Sequence, residues 1–529
     1  MNRLLRVLLI LVCFEMGALL LFIPWLNSWE SNYFLTRYPV LIPVLLHPAI
    51  RGAISYMDFK SSKNYSVLFV FGEYVKLQGQ TIWQPGYGFF SNNGQLTTRP
   101  FNATDLAGIM AALTNGNTAG LGNNSNDSPK PGTTLLNTQS LNQLISDANA
   151  TQIQAEVDEQ LANQKSGEPT PNLSQGYAAG IFQQQVLNQN GEPIGSDNSD
   201  PPIGTLSNLS PSEVALLFNG PGGTFSGASF SLFVDAGFGG EGGAKIVFSP
   251  IDLQTAFPEG IPDDIAQQLA DLGLFVGGAT SAVENAIIVY DKTEEGPNGP
   301  ELTHPAQLNE GQALLVGVSG QGQVFCESCN FLKWGAWLAE LDFQNNQGVS
   351  DQTPTHQVQV GGWWVSGDLP TIGQLPTTGS ATYAGQALGT AAIQNCEGWQ
   401  TFAASGNVNM NWNFASRSGE LAITNFTDHT NPDTPLPALN VSGTMTTPGE
   451  LANNAVNKFS GPLLGTVGSG PYPDSVTGNA VGSFAANGTH KAAGVIGNFN
   501  AGNNDYKASG VFGAGPAPTN LSSSTDGPH

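Results

Sequence analysis

Residues Asn407–Phe414 read NVNMNWNF, and this octapeptide decides the fold class. Val408, Met410, Trp412 and Phe414 alternate with Asn407, Asn409, Asn411 and Asn413. Successive side chains of a strand point to opposite faces, so the apolar set is expected to be buried and the amide set wet. A helix would scatter both sets around its circumference. The short loop Ala415–Ser418 leads into Gly419–Phe426 (GELAITNF), where Leu421 and Ile423 repeat the alternation, so the two segments are expected to form a hairpin.

Working outward, Leu439, Val441, Gly443 and Met445 alternate with Asn440, Ser442 and Thr444, and Tyr506, Ala508, Gly510 and Phe512 repeat the pattern near the end. Ala381–Thr390, Lys458–Val467, Asn479–Ala486 and Ala492–Asn500 bring the set to about eight strands, with Trp334–Phe343 and Gln357–Val365 as further candidates. Such a meander must cover its apolar face and protect its edges. Closing into an antiparallel up-and-down barrel does both, although a two-sheet sandwich also satisfies the pattern. Gly443, Gly482, Gly497 and Gly510, inside strands, suit the kinks of a small, tightly curved barrel.

Six segments in order carry a resemblance: LPTTGSATYAGQALGT (Leu375–Thr390), FASRSGELAITNF (Phe414–Phe426), KFSGPLLG (Lys458–Gly465), VGSFAANG (Val481–Gly488), AAGVIGNF (Ala492–Phe499) and KASGVFGAG (Lys507–Gly515). Together they resemble the C-terminal β-barrel domain of transferrin-binding protein B and related surface lipoproteins, over about Trp334–Gly515. The resemblance implies a barrel on a cell-envelope protein. The family's Gly-Ser-Phe-x-Gly-Pro stands here as Gly482-Ser483-Phe484-Ala485-Ala486-Asn487-Gly488, and the insertions that specialise host-protein receptors are not evident, so no binding residue is carried over.

The rest of the chain is consistent with an exported, mainly β protein. A length of 529 residues suits two to four domains. Only 11% of residues are charged, against roughly a quarter in an ordinary soluble protein. The 41 acidic and 17 basic residues leave a net charge of −24, which repels phosphate backbones and argues against nucleic acid or an anionic membrane surface as partner.

Residues 1–30 read as a membrane anchor or signal segment. Arg3 and Arg6 precede the apolar run Val7–Leu26, long enough to cross a bilayer with the N-terminus cytoplasmic. A cleaved signal peptide is the competing reading, but no small-x-small site follows the run. Residues 31–60 hold a second apolar stretch, Tyr38–Ile50, whose Pro39, Pro43 and Pro48 suit an interfacial segment. Residues 61–101 are expected to form a small β-unit, and Gly72–Phe90 resembles the last strands of a FecR-type periplasmic domain.

Residues 102–211 read as a polar, low-complexity linker with one amphipathic helix over Ser140–Gln164, where Leu141, Ile145, Ala148, Ile153, Val157 and Leu161 follow helical spacing. Residues 212–325 read as a β-rich α+β domain, with strands at Phe230–Ala236, Lys245–Phe248, Glu284–Tyr290 and Gln312–Val318 and a helix at Pro262–Leu274. The barrel is expected over 326–515 and a disordered tail over 516–529.

Few residues suggest chemistry. Gly237-Phe238-Gly239-Gly240-Glu241-Gly242 matches a dinucleotide fingerprint, but a strand-like segment follows where that site needs a helix, so a hairpin loop is expected. Cys326-Glu327-Ser328-Cys329 is a C-x-x-C without the second ligand pair of structural zinc; a disulfide is expected, either Cys326–Cys329 or one of these with Cys396. The six histidines (47, 304, 356, 429, 490, 529) are scattered and no nucleophile elbow is present. Trp334, Trp337, Trp363, Trp364, Trp399 and Trp412 are expected to pack in or around the barrel. No cofactor, metal or catalysis is expected. The reading is a non-enzymatic envelope or surface protein whose barrel binds a protein or small ligand, or else a structural or adhesive component without one.

Overall fold

The computed structural model describes residues 72–91 and 150–517, both with breaks, the longest at 188–202 and 253–272. The stretches read as an N-terminal anchor or signal segment and as a juxtamembrane segment lie outside these residues, as do Cys396 and most of the helix expected at Pro262–Leu274. Among the described residues no helix is long and apolar enough to cross a membrane. The chain divides into two compact units, Met1–Phe101 and Asn102–His529. In the first, β1 (Gly72–Leu77), β2 (Gln80–Pro85) and β3 (Phe90–Ser91) form an antiparallel sheet in that order.

The described part of the second unit opens with α1 (Ala150–Ser166) and continues through β4 (Leu173–Leu187), β5 (Ile203–Thr205), β6 (Val214–Phe218), β7 (Phe225–Val234), β8 (Gly242–Ile251) and β9 (Leu274–Thr280). Then come β10 (Ile287–Tyr290), the hairpin β11 (Thr293–Gly296) and β12 (Gly299–Leu302), β13 (Pro305–Val318), β14 (Lys333–Gln344) and β15 (Thr355–Gly367). Antiparallel pairing runs β4-β6-β7-β8-β9-β13-β14-β15 and returns to β4, which closes an eight-stranded barrel. Between β8 and β13 the wall is built from two pieces: β9 pairs with both strands near one end and β10 with both near the other.

The interior of this barrel holds Phe182, Phe230, Phe248, Trp337 and Trp364, all in one buried cluster. Large rings need small neighbours. At Gly317 a Cβ would stand 2.4 Å from the Trp364 ring and 2.3 Å from that of Phe275, so any side chain there would displace both. Helix α1 lies outside the wall, with Ile153 and Val157 buried and Leu161 packed against the same cluster, as the helical spacing predicts for that part of the segment.

The second barrel comprises β16 (Ser380–Asn395), β17 (Gly398–Asn413), β18 (Ser418–Thr427), β19 (Leu439–Thr446), β20 (Phe459–Val467), β21 (Asp474–Asn487), β22 (His490–Gly502) and β23 (Tyr506–Pro516). Each pairs with the next, and β23 pairs back to β16 from Tyr383↔Pro516 to Ile393↔Tyr506. The closed antiparallel barrel of the sequence reading is therefore present, and the sandwich is not. Val408, Met410 and Trp412 point inward, while the four asparagines that alternate with them are exposed.

The boundaries differ from the expected ones. Strands β14 and β15, candidates for the C-terminal barrel, complete the first one, so the second begins at Ser380 rather than near residue 326. Strand β4 comes from the stretch read as polar linker. Its sequence, LSQGYAAGIFQQQVL, carries little large apolar surface because Gly176, Ala178 and Gly180 line a wall that bulky neighbours fill. What reads as a separate α+β domain is the middle of that same barrel.

Candidate functional site: the joint between the barrels

Among the described residues, aromatic side chains fill the interiors of both barrels. In the second, Phe484 is surrounded by four rings, with centroids at 5.2 Å (Trp412), 5.4 Å (Phe414), 5.6 Å (Phe459) and 6.0 Å (Tyr383). Farther along the axis Phe426 meets Phe499 edge-on at 5.2 Å. The outer wall is the opposite in character. Asn407, Asn409, Asn411 and Asn413 of β17, Glu420 of β18, and Asn440, Ser442 and Thr444 of β19 are exposed. Thr382 Oγ1 donates to Asn411 Oδ1 at 2.9 Å, and Thr444 Oγ1 donates to Glu420 Oε1 at 2.5 Å across this face. Apolar inside and polar outside is the reverse of a lipid-embedded barrel, so this wall is built for water. Leu464, 64% exposed, is the large apolar exception among the described residues.

The most elaborate arrangement of polar groups joins the barrels. On one edge of β4, β6 pairs with Leu173–Gly176 and β5 with Ile181–Gln183, and among the described residues no strand pairs with Tyr177–Gly180 on that side. A buried backbone group left unpaired there would cost about 1–3 kcal/mol. The second barrel supplies the partners. Asn498 Nδ2 of β22 donates to Ala178 O at 2.8 Å, and Gly180 N–H donates to Ser509 Oγ of β23 at 3.0 Å. Both side chains are buried, as short polar groups on β22 and β23 must be to reach another barrel's backbone.

Beside them the Tyr177 hydroxyl bonds Ser483 Oγ at 2.7 Å, and Ser483 Oγ donates to Asn457 O at 2.5 Å. Burial raises the Tyr177 hydroxyl pKa well above its ordinary value; the Ser483 bond opposes the shift and the Glu213 charge adds to it. Asn457 fastens the linker between the barrels. Its Nδ2 donates to Pro370 O at 2.6 Å and to Phe484 O at 3.1 Å, and its Oδ1 accepts from Phe484 N–H at 2.5 Å. Asp368 O accepts from Ala486 N–H at 2.8 Å. Helix α1 reaches the same place, where Gln164 Nε2 donates to Leu369 O at 3.0 Å and Lys165 O accepts from Asn454 Nδ2 at 3.1 Å.

Lys333, at the start of β14, holds its Nζ 4.7 Å from the centre of the Phe218 ring. Burial lowers its pKa, and the Asp368 charge works against that shift. Cys326 and Cys329 are joined by a disulfide with the Cα atoms 5.1 Å apart. The tryptophans divide between environments: Trp337 and Trp364 face the first barrel's interior, Trp412 the second's, and Trp334 and Trp363 are buried on the opposite face of β14 and β15. The glycine fingerprint connects β7 to β8, which pair as a hairpin with Val234 opposite Gly242. Among the described residues no three His, Cys, Asp or Glu side chains gather as a metal site would require. The side-chain-to-backbone bonds of the joint were not legible in the sequence, since isolated Asn and Ser carry no spacing signal.

No protein-family model matches the chain, and no curated protein matches it either. Among solved structures, a Trp→Ala variant of transferrin binding protein B from Haemophilus parasuis is similar at 11% identity and a TM-score of 0.23, over 65% of this chain and 76% of that one. Intact Ap-TbpB, with N and C lobes, gives 10% identity and a TM-score of 0.22 over 65% and 77%. The haemoglobin receptor HpuA from Kingella denitrificans gives 13% identity and a TM-score of 0.18 over 48% and 87%. The FecR-like reading of residues 61–101 has no support in these comparisons. At scores this low the likenesses place the chain in no family.

Proposed function

We propose that the chain is a non-enzymatic surface protein of the bacterial cell envelope, in which the two barrels form a rigid frame and the outer walls and loops engage a partner. The observation that carries this reading is the packing of both interiors with aromatic side chains, together with the polar outer face of β17, β18 and β19 on the second barrel. A lumen occupied by Trp412, Phe459 and Phe484 cannot take up a ligand without dismantling the core, so recognition falls to the outside. The apolar N-terminal run supports export and attachment to a membrane. The partner is a protein or a small ligand held at the surface, and the excess of carboxylates argues against nucleic acid.

Immobilised full-length protein is expected to capture a component of host fluid or of neighbouring cells saturably and reversibly. Binding that never saturates, or none from either source, would leave a structural or adhesive role instead.

A further inference from the structure

The connection from β13 to β14 leaves the first barrel and reaches the second. Phe325, buried, lies over Gly513 of β23, where a Cβ would stand 2.7 Å from its ring. The Phe325 carbonyl oxygen approaches the corresponding point of Gly385 on β16 at 2.6 Å, and the Phe331 ring that of Gly494 on β22 at 2.9 Å. The Trp334 ring meets Phe325 edge-on at 6.1 Å. Two phenylalanines of one barrel are thus pressed into glycine notches of the other.

Between them sits the bridge. Cys329 N–H donates to Cys326 O at 3.1 Å and Leu332 N–H to Cys329 O at 3.0 Å, so the disulfide closes one tight turn that sets the spacing of Phe325 and Phe331. The two ends differ in access: Cys329 is fully buried and Cys326 is partly exposed. Exchange requires a thiolate to approach one sulfur from outside while the other leaves, and of the two residues Cys326 is the one with exposed surface.

We propose that Cys326–Cys329 is a site of thiol–disulfide exchange with an external dithiol, and that exchange there unlatches the loop from the second barrel. A thiolate of the dithiol attacks Cys326 Sγ. The bridge breaks, Cys329 leaves as a thiolate and takes a proton, and a mixed disulfide links Cys326 to the donor. The donor's second thiolate then attacks its own sulfur in that bond, releasing Cys326. The donor departs as an intramolecular disulfide, having given two electrons to the protein. With the turn opened, no cross-link holds the two phenylalanines at the spacing of their notches. The bonds of β4 to Asn498 and Ser509 do not involve this loop and stay in place.

The folded, full-length protein treated with dithiothreitol and pulsed with iodoacetamide tests this, with labelling read peptide by peptide. Cys326 is expected to label about tenfold faster than Cys329, and limited proteolysis between Val318 and Lys333 to speed up about tenfold while the second barrel stays intact. A Cys326→Ser/Cys329→Ser double variant is expected to be cut at the reduced rate with or without dithiothreitol. A bridge that resists dithiothreitol until the protein unfolds, equal labelling of both cysteines, or unchanged cleavage on reduction would overturn the proposal.

Discussion

Phe484 shows how much a single side chain can organise. Its ring is buried among those of Trp412, Phe414, Phe459 and Tyr383, and its backbone N–H and C=O are both bonded to Asn457. Phe484→Ala would remove four ring contacts and leave a cavity the closed wall cannot collapse into, so a loss of about 3–5 kcal/mol is expected, measured by urea unfolding. The tyrosines make a second prediction. Burial raises the hydroxyl pKa of Tyr177, Tyr383 and Tyr506 in the fold, above the value of about 10 for an unfolded chain. The neutral hydroxyl therefore favours the fold. That stability is whole below about pH 10 and is lost as the pH rises from the unfolded value through the folded ones. Absorbance near 295 nm is expected to show a tyrosine component that ionises only as near-ultraviolet circular dichroism is lost; ionisation of every tyrosine in the folded protein would contradict this.

At the scale of elements, the strands with regular alternation were legible from sequence and the others were not. NVNMNWNF betrays β17 because one face meets a ring-filled core and the other meets water. Strand β4 has no such contrast. Both its faces are buried, one against the interior of its own barrel and the other against β22 and β23, and at Gly176 and Gly180 a Cβ would run into the backbone of β15. Strands β14 and β15 were visible as strands, but their double-sided burial of tryptophan gives no clue to which barrel they complete. The joint follows the same logic, since its recognition is of backbone by side chain. Asn498→Leu keeps the size of the side chain but leaves Ala178 O without its donor. The expected cost is about 1–3 kcal/mol, with faster amide exchange in β4 and little change in β17–β20, as measured by hydrogen-exchange mass spectrometry.

For the molecule as a whole, the revised boundary is open to direct test. A fragment spanning residues 368–517 contains every strand of the second barrel and is expected to fold alone with β-type circular dichroism and a cooperative melt. A fragment spanning 326–517 adds β14 and β15 without β13 or β4, so it presents two unpaired sheet edges and is expected to aggregate. Equal solubility of the two, judged by size-exclusion chromatography, would show that β14 and β15 do not depend on β13 and β4 as partners.

In both barrels the first strand is hydrogen-bonded to the last, β4 to β15 and β16 to β23. This imposes an order on biosynthesis. Neither ring can shut until its final segment has left the ribosome or the export channel, and each shutting event joins stretches that are far apart in the chain, which is slow. A polypeptide halted before Tyr506 would present β16 and β22 as open rims, so the emergence of β23 decides whether the second ring forms or the nascent chain adheres to its neighbours.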